Sequence, residues 1–133
     1  MTTELHWLIL TLLMTSLLWV PYVLDRFLVR GTWKTLGDTQ PEGTGAQSLW
    51  AKRAIRAHQN AIENLAIFAP AVLALHFLGI STPATRAAVL VYFFARLAHY
   101  IVYTAGIPFA RTLTFATAWA CQLALIFSLL HWI

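Results

Sequence analysis

Long apolar runs alternate with short polar breaks along the chain, and the runs recur four times. Their lengths predict four helical spans, at about 5–28, 49–78, 84–105 and 109–131. Each meets the roughly 20 residues needed to cross about 30 Å of hydrocarbon. The breaks carry helix-end chemistry. Gly79 closes the second span, Ser81 and Thr82 are N-cap candidates, and Pro83 suits a first helical position. Gly106-Ile107-Pro108 makes the turn into the fourth span. Gly31–Ser48 is rich in Gly, Thr and Gln without an apolar period, and is expected to be a surface loop. No repeat or second domain is visible, so residues 1–133 form one all-α, four-helix domain.

Composition fixes the solvent of that bundle. Hydrophobic residues make up 59% of the chain and charged residues only 11%, against about a quarter charged in soluble domains. The chain is therefore expected to be an integral, multi-pass membrane protein in contact with lipid. The net charge of +4 does not indicate a nucleic-acid partner. The cations sit at helix ends, as the positive-inside rule expects. Arg26, Arg30, Lys34, Lys52, Arg53 and Arg56 flank the first loop and Arg111 follows the third. Both loops are thus expected in the cytoplasm, with the termini opposite. The first run lacks a basic n-region and is too long for a signal peptide, so it is expected to stay as a membrane helix. The lone Cys121 lies among small apolar residues and behaves as one of them.

One stretch breaks the apolar rule. RAIRAHQNAIENLAIF opens the second span. At about 100° per residue, Lys52, Arg53, Arg56, Gln59, Asn60, Glu63 and Asn64 fall within one wedge of about 140°. His58 falls on the apolar side. Snorkelling at a helix end accounts for Lys52 and Arg53. It does not account for Glu63, about 20 Å into the helix at 1.5 Å per residue. A carboxylate that deep must pair or face water.

The third span supplies a second polar stripe. Tyr92, Arg96, His99, Tyr100 and Tyr103 lie within about 100° of one another. Arg96 is near mid-membrane, where Glu63 is its expected partner. Arg111 and Thr112 open the fourth span at the same face. A helix N-terminus with an added guanidinium and hydroxyl suits a carboxylate or thiolate. Arg56, Asn60, Glu63, His99, Tyr103 and Arg111 are expected to line one pocket for a small, multiply charged ligand. No metal-ligand spacing appears, and no Ser-His-Asp elbow or phosphate loop.

RAIRAHQNAIEN followed by FFARLAHYIVYTAGIPFART resembles the MAPEG family, membrane-associated proteins in eicosanoid and glutathione metabolism. The resemblance covers almost the whole chain, and the small size is similar to the bacterial branch, implying a bacterial inner membrane. It implies a homotrimer of four-helix subunits that binds glutathione between subunits and joins its thiolate to a lipophilic electrophile, or reduces a lipid hydroperoxide. By resemblance, Arg56, Asn60 and Glu63 contact glutathione from the second span, and His99 and Tyr103 from the third. Arg111 stabilises the thiolate, with Thr112 beside it and Tyr103 as a catalytic donor. Either Arg30 or Arg26 joins from the end of the first span. The chain departs at Asn64, where some members have tyrosine, and at Gln59, where prostaglandin-synthase-like members carry arginine. The alternative to a glutathione-dependent enzyme is a non-catalytic membrane subunit whose polar wedge only holds helices together.

Overall fold

The computed structural model describes residues 1–42 and 44–133. Six helices follow in order: α1 Thr3–Leu17, α2 Trp19–Arg30, α3 Thr32–Leu36, α4 Leu49–Phe77, α5 Pro83–Ala105 and α6 Pro108–Leu129. α1 and α2 together make one span, Thr3–Arg30, and with α4, α5 and α6 give four helices long and apolar enough to cross a membrane. The chain is an all-α, four-helix, multi-pass membrane protein, with spans within a few residues of those predicted.

Two features depart from the predicted elements. The first span breaks at Leu18. Pro21 has no N–H for the Leu17 carbonyl, and its ring crowds that carbonyl. The loosened turn is held from outside, where the Tyr100 hydroxyl donates to the Leu18 carbonyl at 2.9 Å. The second departure is α3, which lies inside the stretch expected to be a structureless loop. It has five residues, too few for an apolar period to show. The Thr35 hydroxyl ties it down, with the carbonyls of Gly31 at 2.8 Å and Arg26 at 3.2 Å in reach.

α5 is the central element and packs on α1, α4 and α6. Phe68 and Val72 of α4, Tyr92 of α5, Leu125 of α6 and Leu8 of α1 meet in one buried cluster that also takes in Cys121. Phe68 and Tyr92 stack with ring centroids 3.7 Å apart. A second cluster is built on Ala51, Ala54, Ala57 and Ala61 of α4, with Leu18, Tyr22 and Tyr100. Small side chains let backbones approach closely where burial from water is no driving force.

The two ends of the bundle are closed by polar bonds. At one, the buried Glu4 accepts hydrogen bonds from the hydroxyls of Thr85 at 2.6 Å and Ser81 at 2.9 Å. Thr82 and Thr85 form a capping box ahead of Pro83-led α5, so Thr82, rather than Ser81, is the cap. At the other end Asp25 accepts from the Ser48 backbone N–H at 3.0 Å, at the start of α4. The loop between is strapped to α2 by ion pairs Arg26–Glu42 and Arg30–Asp38. Arg30 also donates to the carbonyls of Ala46 at 2.7 Å and Thr44 at 2.5 Å.

Tyr100→Phe removes the donor that holds the Leu18 break. It is expected to lower the unfolding free energy in detergent by about 1 kcal/mol, seen as a fall in melting temperature. An unchanged melting temperature would show that the Leu18 carbonyl has no need of Tyr100.

Candidate functional site

The polar wedge of α4 divides along its length. Its inner edge, Arg53, Asn60 and Asn64, turns into the bundle, and its outer edge, Arg56, Gln59 and Glu63, is exposed. The inner edge is spent on neighbouring helices. Arg96 Nη2 donates to Asn60 Oδ1 at 2.6 Å. Asn64 Nδ2 donates to the Asn60 carbonyl at 2.9 Å. Gln122 Nε2 in α6 reaches the carbonyl and Oδ1 of Asn64, each at 3.2 Å. A seam of side-chain bonds thus crosses from α5 through α4 to α6.

The expected Glu63–Arg96 pair does not form. On the wheel Glu63 lies about 60° from Asn60, enough to put it outside while Asn60 faces in. Arg96 is only 2% exposed. Its Nε and Nη1 have no partner among the described residues, and nor does the Tyr92 hydroxyl. Of the α5 stripe, Tyr92, His99 and Tyr100 are also interior. His99 is buried between α5 and α6, with Nδ1 3.2 Å from both the Arg111 carbonyl and the Thr114 hydroxyl. His58 sits apart from the wedge, 2.8 Å from the Tyr22 hydroxyl.

A cavity of about 500 Å³ opens where the start of α4 meets the α5–α6 turn. Lys52, Arg53, Arg56 and Gln59 form one wall, Tyr103 and Arg111 another, and Glu42 and Thr44 of the loop a third. Four cations face one carboxylate, and that carboxylate already pairs with Arg26. The wall is therefore net positive and suits an anion. The Arg111 guanidinium lies over the Tyr103 ring, 5.1 Å from its centroid, in cation–π range. Arg111 stands in the first turn of α6, whose N-terminus has no side-chain cap among the described residues. Free N–H groups and the positive dipole end add to the attraction for negative charge. A shallower groove of about 580 Å³ between α3 and the loop is less suited, because its Arg30 is neutralised by Asp38.

A family model, the MAPEG family, matches residues 5–131 of the chain. The chain belongs to the MAPEG family. No curated protein and no solved structure matches it.

Of the positions singled out from the MAPEG resemblance, Arg56, Tyr103 and Arg111 meet in the cavity. Asn60 and His99 lie behind it in the bundle, held by Arg96 and by α6. Glu63 is on the exposed side of α4, and Thr112 is exposed in the first turns of α6. Arg30 is bound into the loop, and Arg26 pairs with Glu42 on the rim. Sequence reasoning missed Gln122, although a lone amide in the apolar ACQLALIF run is itself a signal of a buried bond. The position of Arg53 at a helix end points only to snorkelling. In this MAPEG chain Arg53 Nε donates to the Thr104 carbonyl at 3.0 Å, closing the last turn of α5.

The seam predicts a mutational asymmetry. Asn60→Leu strands the Arg96 guanidinium and is expected to cost about 3–5 kcal/mol, while Arg96→Met in the same background should recover most of it. Unfolding in mixed micelles measures both. Equal destabilisation in the single and double variants would remove Asn60 as the partner of Arg96.

Proposed function

We propose that this MAPEG chain is a glutathione-dependent transferase or peroxidase acting on lipophilic electrophiles, working as a homotrimer in a bacterial inner membrane with the cavity opening to the cytoplasm. The observation that carries it is Arg111 on Tyr103 at an uncapped helix N-terminus, inside a wall of cations. A free thiol has a pKa of about 8.5 and is mostly protonated at neutral pH. A guanidinium and a helix N-terminus favour the thiolate and lower that pKa. Lys52 and Arg56 suit the two carboxylates of the tripeptide. The Arg111 guanidinium holds the sulfur, and Tyr103 donates a hydrogen bond to it. The thiolate sulfur then forms a bond to the electrophilic carbon, and the displaced group leaves with the bonding electron pair. The electrophile enters from the lipid side, across the apolar surface of the neighbouring helices.

The trimer is supported by the exposed Glu63. It lies about 20 Å along α4 at 1.5 Å per residue. A carboxylate at that depth is too costly to leave against acyl chains. Contact with another subunit covers it and brings Glu63 and the cavity edge toward one intersubunit site, with Asn60, His99, Thr112 and Arg30 supporting its walls.

A second reading is favoured by the interior seam. Asn60 and Asn64 are engaged by bonds within the chain, as in a non-catalytic membrane subunit. The two readings separate on a thermal shift of the detergent-solubilised protein. Glutathione and its S-hexyl analogue are expected to raise the melting temperature, and Arg111→Ala to reduce glutathione-dependent conjugation of a model electrophile by about 100-fold or more, a loss typical of removing one oxyanion-type donor. No thermal shift and no thiol-dependent turnover would leave the structural reading standing.

A further inference from the structure

The last turn of α5 is closed close to the cavity by a side chain from another helix. Gly106 adopts the left-handed region, at φ 79°, which a residue with a side chain rarely takes. Its N–H donates to the Tyr103 carbonyl at 3.0 Å, and the Ile107 N–H to the Val102 carbonyl at 3.0 Å. This is the Schellman arrangement, and it leaves the Thr104 carbonyl without a backbone donor. Arg53 fills the place, with Nε at 3.0 Å from that oxygen. The same guanidinium lies against the glycine. A Cβ added to Gly106 would come within 3.0 Å of Arg53 Cζ and 3.2 Å of its Nε. Arg53 therefore grips the turn twice, through a hydrogen bond and through flat contact. Its positive charge also sits at the negative end of the α5 dipole.

That turn fixes the two groups that face each other in the cavity. Tyr103 lies one residue before Thr104, and Arg111 is three residues after Pro108. Their separation of 5.1 Å depends on the angle at which α6 leaves α5. Arg53 comes from α4 and ties the start of that helix to the turn.

We propose that Arg53 is a positioning residue for thiolate stabilisation, clamping the Gly106–Pro108 turn so that Arg111 stays over Tyr103 at the mouth of the cavity. This rests on the thiol-binding reading above, but the clamp itself does not. A planar guanidinium is required, because one side must reach the Thr104 oxygen while its face covers Gly106. A lysine keeps the charge and loses the fit.

The test uses the full-length protein in detergent or nanodiscs, with Arg53→Gln and Arg53→Lys. The ultraviolet absorbance of bound thiolate is followed against pH with glutathione present. Both variants are expected to move the midpoint of thiolate formation upward by about one pH unit, or about tenfold less thiolate below the midpoint. A residue that only contacts the ligand would instead weaken glutathione binding and leave the midpoint in place, and that result overturns the proposal. Amide hydrogen exchange at Gly106 and Ile107, without ligand, gives the independent reading. It is expected to quicken in both variants, and unchanged rates overturn the clamp. If the unaltered protein forms no bound thiolate at all, the transferase reading falls, while the exchange rates still decide whether Arg53 holds the turn. Gly106→Ala pushes on the same guanidinium from the other side and is expected to quicken exchange at Ile107 as well.

Discussion

A guanidinium buried between helices, with one hydrogen bond to an asparagine, sets the arrangement of this bundle. Arg96 is enclosed, and Nη2 finds Asn60. Within hydrocarbon there is no water to satisfy a guanidinium, so Arg96 needs an acceptor from a neighbouring helix. Asn60 is the one it meets, and the Nε and Nη1 of Arg96 have no partner among the described residues. That requirement fixes the rotation of α4 about its own axis. Asn60 must face α5, and Asn64, one turn on, is then carried to Gln122 of α6. With the inner edge so used, Arg56, Gln59 and Glu63 are left outside. The polar wall of the cavity is a consequence of where the interior seam lies.

The same rotation acts at the end of the bundle. Two turns before Asn60, Arg53 sits on the same inner edge and meets the end of α5. A terminal carbonyl is as much in need of a donor as a buried amide. Satisfying it connects α4 to the turn that carries α6 away, and so to Arg111. The seam in the membrane and the positive cavity at its edge are two results of one helix orientation.

Much of this was legible in the sequence, and the limits have physical causes. Four spans could be read because each needs about 20 apolar residues, a long signal. Thr82 and Pro83 marked the start of α5 because caps act locally. The wedge on α4 was visible too, since a wheel gives angles within one helix. It gives no angle between helices. Thus Arg96 was matched to the opposite charge of Glu63, while the structure gives it Asn60. The α5 stripe, from which His99 and Tyr103 are expected at the pocket, likewise turns mostly inward. Tyr92, Arg96, His99 and Tyr100 are buried, and only Tyr103 reaches the cavity. The five-residue α3 and the fit of Arg53 on Gly106 had no periodic signal to reveal them.

Glu63 connects the fold to the site. It is exposed on α4, deep along a membrane-spanning helix. Acyl chains cannot solvate a carboxylate, so this edge of α4 must be covered by protein or open to water. Arg56 and Gln59 share that edge and also line the cavity. Whatever meets Glu63, protein or water, is therefore continuous with the cavity rim. A ligand resting on Arg56 and reaching toward Glu63 touches it as well as the chain itself. The tripeptide proposed above would balance both sides, its carboxylates toward Lys52 and Arg56 and its ammonium toward Glu63.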